Sequence, residues 1–126
     1  MSTVEMIAKI LQVVVALGIF NVWFLRVNKP TNYRGGNATN MEEEFKVYGF
    51  SKSFMLAVGA LKVIFAMFLL LGLWVPEVAC VGALGLSLLM LAAFSMHLKV
   101  RDPIMKGIPS LLMFAMSALV FLASRP

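Results

Sequence analysis

Four long apolar runs organise the chain, broken by two short polar interruptions and one long polar stretch. They cover about residues 4–25, 53–74, 76–98 and 107–124, each close to the ~20 residues a helix needs to cross ~30 Å of hydrocarbon. The pattern predicts an all-α integral membrane four-helix bundle, with residues 1–126 as a single domain. Gly72-Leu-Trp-Val-Pro76 reads as a tight hairpin, with Pro76 suited to the first turn of the third helix and Trp74 to the membrane interface. Val100 to Gly107 separates the third and fourth spans, and Pro109 is expected in the first turn of the last. The first run has no small-residue cleavage site and continues into Asn21-Val-Trp-Phe-Leu-Arg26, so it reads as a retained helix rather than a signal peptide.

The long polar stretch, Arg26 to Lys52, has helical punctuation of its own. Thr39 or Asn40 is an N-cap candidate, three acidic residues follow at 42–44, and Gly49 closes the pattern. A short amphipathic surface helix is therefore predicted over about 39–49, with Met41, Glu44, Phe45 and Tyr48 along one face.

Composition agrees with the apolar pattern. The 126 residues are 61% hydrophobic and 13% charged, where a soluble domain carries roughly 25% charged residues. Mean hydropathy is +0.92 and the pI near 9.7. The net charge of +5 does not indicate nucleic acid, because the cations flank the apolar spans in the positive-inside manner. Five lie in the first loop (Arg26, Lys29, Arg34, Lys46, Lys52) and three in the third (Lys99, Arg101, Lys106), against Lys9 and Arg125 on the opposite side. That division predicts cytoplasmic first and third loops and external termini, in the inner (cytoplasmic) membrane of a bacterium. The single cysteine, Cys80, leaves no internal disulfide and no dithiol chemistry.

Lys62 is the exceptional residue. An ammonium near the middle of an apolar span costs at least ~2.5–3.5 kcal/mol on insertion scales, so it faces the protein interior, finds a partner or snorkels. It lies ~13 Å into the second helix at 1.5 Å per residue, and its stem leans back toward the loop side. Asn21 sits one turn below the loop-side end of the first helix and His97 at the loop-side end of the third, with Asp102 just beyond. Glu44 and Tyr48 face down from the surface helix. Height alone therefore predicts one polar cluster of Asn21, Arg26, Glu44, Tyr48, Lys62, His97 and Asp102. Lys62 either pairs with Glu44 structurally or contacts a ligand. Tyr33-Arg-Gly-Gly36 is either a plain turn or a backbone nest for an anion with Arg34 as clamp.

Other positions read as packing. Gly59 and Ala66 flank Lys62 and leave either a close helix contact or a slot for a flat ring, and Ala79, Gly82, Ala83 and Ser87 form a small-residue stripe on the third helix. One His and one distant Cys cannot build a haem pair or a zinc site, and no nucleophile elbow, P-loop or dinucleotide fingerprint is present. No metal site and no intrinsic cofactor are expected.

Several segments in order, Asn21-Val-Trp-Phe-Leu-Arg26, Lys29-Pro-Thr-Asn-Tyr-Arg-Gly-Gly36, Met41-Glu-Glu-Glu-Phe-Lys-Val-Tyr-Gly49, Val58-Gly-Ala-Leu-Lys62, Met96-His-Leu-Lys-Val-Arg-Asp-Pro103 and Pro109, resemble the DoxX-like membrane proteins over nearly the whole chain. The resemblance implies a small four-helix membrane protein, and relatives of the broad DoxX group include a membrane subunit of a thiosulfate:quinone oxidoreductase. Two expectations follow. In the first, the chain is a ligand-binding or accessory subunit, binding a lipid-soluble molecule, a membrane-protein partner or a second copy through the cluster around Lys62. In the alternative it is the membrane subunit of a quinone-linked oxidoreductase, with Lys62 and His97 contacting quinone.

Overall fold

A computed structural model describes residues 1–126 and is all-helical. Helix α1 spans Thr3–Phe20 and runs into a π-helical turn, Asn21–Leu25; α2 spans Met41–Val47, α3 Lys52–Leu71, α4 Pro76–Lys99 and α5 Ile104–Ser124. With the π turn added to α1, four helices are long and apolar enough to cross a membrane. They pack in a ring in which α1 touches α3 and α5, and α4 touches α3 and α5. The α4–α5 hairpin shares the most extensive interface.

Helices α1, α2 and α3 each start where a side chain takes over an orphan amide. Ser2 accepts the Glu5 N–H at 3.1 Å, Asn40 accepts the Glu43 N–H at 2.8 Å, and Ser51 accepts the Phe54 N–H at 3.1 Å. Pro76 opens α4, where a missing amide costs nothing. Two ends close in Schellman turns. After α2, Phe50 N–H bonds Phe45 O and Gly49 N–H bonds Lys46 O, with Gly49 at φ 93°. After α4, Asp102 N–H bonds His97 O and Arg101 N–H bonds Leu98 O. There an arginine, not a glycine, occupies the left-handed position, at φ 58°.

The terminus-side half of the bundle is solid. Val15, Ala16, Ala66, Leu69, Ala83, Leu86 and Val120 are fully enclosed. The small-residue stripe of α4 packs against α3 as expected: Ala79, Gly82, Ala83 and Ser87 are buried, and a Cβ on Gly82 would come within 2.7 Å of Phe65 O. Ala66 belongs to this core. Gln12, not singled out from the sequence, is 3% exposed and donates from Nε2 to Leu69 O at 2.9 Å, tying α1 to the last turns of α3.

Three boundaries differ from the sequence pattern. The first span is not one continuous α-helix, because Arg26 N–H reaches back five residues to Asn21 O at 3.0 Å, an extra residue that apolar periodicity does not reveal. Helix α5 begins at Ile104, because Pro103 supplies extended backbone at its N-cap, and Pro109 consequently sits inside the helix rather than in its first turn. The surface helix is confined to Met41–Val47, since Asn40 caps it and Thr39 instead binds the Glu43 carboxylate.

Candidate functional site

The loop-side half of the bundle is hollow. A cavity of about 760 Å³ lies between the upper parts of the four long helices and beneath the 26–50 segment, within the ~300–1,000 Å³ typical of small-molecule sites. Its walls are apolar for the larger part, with Trp23, Phe45, Phe54, Val58, Met90 and Met113 prominent. Helix α2 is its lid: Met41, Glu44, Phe45 and Tyr48 are all buried on the underside, and Met41 and Phe45 pack with Met55 of α3.

A hydrogen-bonded circuit forms the polar rim. Glu44 accepts the Gly35 N–H at 2.6 Å, the Arg34 Nη1–H at 3.4 Å and the Tyr48 hydroxyl at 3.2 Å. The Schellman turn after α4 brings Asp102 back over its own helix end, so that His97 Nδ1 lies 2.8 Å from Asp102 Oδ2. Asp102 Oδ1 accepts the Gly36 N–H at 2.9 Å, and Lys106 donates to Gly36 O. Lys99 donates to Tyr48 O at 3.3 Å. The successive amides of Gly35 and Gly36 go to two different carboxylates of the chain, Glu44 and Asp102, rather than converging on one anion. A Cβ at Gly35 would lie 2.6 Å from the Tyr48 hydroxyl, so only glycine lets the turn close on that ring.

Arg34 lines the cavity but is engaged by its own loop and by α2. It is 5% exposed, and besides Glu44 its donors serve Arg26 O at 2.6 Å, Lys29 O at 2.9 Å and the Met41 sulfur at 3.5 Å. The fork is saturated by its own loop. Burial, then the Glu44 charge, pushes the Tyr48 hydroxyl above its ordinary range and keeps it a neutral donor. Burial works against the Asp102 carboxylate, but the Gly36 amide and His97 prevail and hold its pKa below the usual value. The Tyr48 oxygen is 3.4 Å from His97 Nε2 and 3.5 Å from Nδ1. Equidistant from both nitrogens, it is aligned with neither lone pair. With Nδ1 held by Asp102, Nε2 is left without an aligned partner at the cavity wall.

Lys62 stands apart from this circuit. It is partly buried and lines the cavity, and it has neither an ion pair nor a hydrogen bond, because Glu44 is taken by Arg34. It has an aromatic neighbour instead: Nζ lies 5.7 Å from the centroid of the Trp23 ring, while Glu44 acts on it only at longer range. Trp23 in turn lies on Gly59, where a Cβ would sit 2.5 Å from its Cε3. The flat ring beside the lysine is the protein's own.

The structure joins Arg34, Glu44, Tyr48, His97 and Asp102 by direct contacts. It places Asn21, Arg26 and Lys62 on the same cavity without a side-chain hydrogen bond. No direct contact joins Lys62 to His97, although both face the cavity. Trp23, Lys99 and Lys106 were missed from the sequence; the Gly35-Gly36 pair was visible as a turn, but nothing local marks the carboxylate that reaches Gly36 from 66 residues away.

Fold and site together define a small four-span helical membrane protein with a lidded cavity in one half of the bundle. The sequence model of the DoxX-like family matches residues 10–121, most of the chain. The protein belongs to the DoxX-like family. No curated protein and no solved structure matches the chain.

Proposed function

We propose that the loop-side cavity binds a small lipid-soluble molecule and that the protein serves as a ligand-binding or accessory subunit in its membrane. The observation that carries this reading is Lys62: an ammonium with neither an ion pair nor a hydrogen bond to the protein, at the wall of a cavity lined for the larger part by apolar side chains. A buried charge left unpaired is costly, and a bound molecule offering an acceptor removes that cost. Binding rather than chemistry is favoured, since the rim carboxylates are committed to amides, to Arg34 and to His97. The charge division between loops supports cytoplasmic first and third loops.

A second reading has one observation in its favour. His97 Nε2 and Lys62 Nζ are both uncommitted groups on the same cavity, and the His97–Asp102 pair resembles a proton-handling dyad. The ligand would then be a quinone and the chain the membrane subunit of a quinone-linked oxidoreductase. Native mass spectrometry of the protein extracted gently from its own membrane tests both readings. A stoichiometric small molecule that is lost in Lys62→Met supports ligand binding, and its identity as a redox-active quinone selects the second reading. A co-purifying polypeptide with an empty cavity overturns ligand binding in both readings and leaves the accessory-subunit role alone.

A further inference from the structure

The charges around the cavity do not balance, and the imbalance specifies the ligand. Its lining contains four cationic side chains, Arg26, Arg34, Lys62 and Lys106, against one carboxylate, Glu44. That carboxylate is already spent on Arg34, the Gly35 amide and the Tyr48 hydroxyl. Asp102, just beyond the lining, is likewise spent on His97 and Gly36. Lys62 therefore makes no ion pair with the protein, Glu44 reaching it only at longer range; Arg26, exposed at the rim, has no side-chain acceptor either. A neutral ligand would leave this excess in place. An anion would compensate it, and in a low-dielectric cavity the compensation is worth more than at the surface.

Resting on the binding reading above, we infer that the cavity takes an organic anion: an amphiphile with a carboxylate or phosphate head on Lys62 and an apolar body against the Trp23, Val58, Met90 and Met113 walls. Lys62 supplies the charge-assisted contact, and Trp23 fixes the lysine from the other side. The π turn that carries Trp23 and Asn21 has no substantial contact with α5, whereas α1 proper packs on it. A chain could thus enter between the two from the bilayer.

Trp23 is also a reporter. The second tryptophan, Trp74, is 78% exposed in the turn between α3 and α4, at the opposite end of the bundle, so Trp74→Phe leaves one indole, on the cavity wall. The experiment titrates this protein in nanodiscs of zwitterionic lipid with a dibrominated stearic acid, its methyl ester, and a brominated lysophosphatidic acid, reading quenching of Trp23. Saturable quenching by the acid or the phosphate, at an affinity at least about tenfold above the ester, is expected. Whichever of the two binds more tightly identifies the head group. Lys62→Met should abolish the preference and Lys62→Arg should restore it, with helicity by circular dichroism unchanged in both. Ester binding as tight as the acid would overturn the anion assignment while leaving the cavity a binding site. Absence of saturable quenching by any of the three would overturn the binding reading itself.

Discussion

Asp102 Oδ1 accepts the Gly36 amide at 2.9 Å, joining two turns that lie 66 residues apart in the chain. The same carboxylate holds His97 through its other oxygen, and Lys106 takes the Gly36 carbonyl. One residue of the long first loop, Gly36, is thereby gripped at both its amide and its carbonyl by the connection between α4 and α5. The lid over the cavity is fastened to the hairpin opposite it, as well as to the helices it connects.

Asp102→Ala removes both bonds and leaves the Gly36 amide and the His97 ring without their acceptor. A loss of about 1–3 kcal/mol is expected for stranding such groups, concentrated in the loop. Hydrogen exchange read by mass spectrometry should show faster exchange over residues 34–48 with the core of α3 and α4 protected as before. Unchanged protection of that segment would show that the fastening is incidental.

Acid and alkali should act on different links of the circuit. The Asp102 carboxyl is held below its ordinary value of 3.8, so its contribution is fully present above that value and fades as pH falls through the lower folded pKa. The Tyr48 hydroxyl is held above its ordinary value of 10.0; its contribution is complete below that value and fades as pH rises past it. Thermal unfolding across pH should give a plateau bounded by these two losses. The alkaline loss should shrink in Tyr48→Phe and the acid loss in Asp102→Asn.

Arg34→Lys is not a conservative change here. The guanidinium reaches three carbonyl and carboxylate partners in different directions from one plane, and a lysine ammonium cannot span them. In Arg34→Met, Glu44 would remain buried with its cation gone, and breaking a buried pair costs roughly 3–5 kcal/mol. Both Arg34→Lys and Arg34→Met should lower the unfolding temperature strongly, and Arg34→Met/Glu44→Gln should recover part of the loss. If Arg34→Lys unfolds like the unaltered protein, the guanidinium fork is not what holds the loop.

Arg101→Gly should stabilise the protein. Arg101 is exposed, makes no ion pair, and occupies φ 58° in the Schellman turn, a conformation that costs a side-chain-bearing residue roughly 1–2 kcal/mol relative to helical backbone. Glycine removes that cost but loosens the unfolded chain, so a net gain of about 1 kcal/mol is expected. Equilibrium unfolding in a mild detergent measures it; a loss instead would mean that the arginine side chain has a partner in the membrane.

What could be read from the sequence was depth, and what could not was direction. Span lengths follow from hydropathy, and the rise per residue put Asn21, Lys62 and His97 at compatible heights. Glu44 and Tyr48 share a face because they are four apart on a helix, and the structure buries both. Azimuth was not available, so Lys62 and Glu44 looked like partners, whereas Arg34 reaches Glu44 first. The π turn rotates Trp23 over Gly59 by inserting a residue that leaves no trace in the apolar pattern. Gln12, uncharged within an apolar run, gave no warning that it bonds Leu69 O. The Schellman turn that swings Asp102 over His97 was hidden because Arg101 stands where glycine would have announced it.

Gly59→Ala isolates the packing that positions the lysine. An alanine normally favours a helix over glycine by up to ~1 kcal/mol, but here its Cβ would fall 2.5 Å from Trp23 Cε3 and 3.0 Å from Cη2. The indole cannot simply slide along the helix, because Phe45 packs edge-on against it with ring centroids 6.3 Å apart. It must swing into the cavity, taking space from a ligand and leaving the Lys62 ammonium without its aromatic neighbour. Overpacking of this kind costs typically ~1–3 kcal/mol and outweighs the gain in helix propensity. In the Trp74→Phe background, Gly59→Ala should shift Trp23 emission, lower the unfolding temperature and weaken amphiphile binding together. An unchanged emission spectrum with a raised unfolding temperature would show that Gly59 is ordinary helix backbone and that Trp23 owes its place to something else.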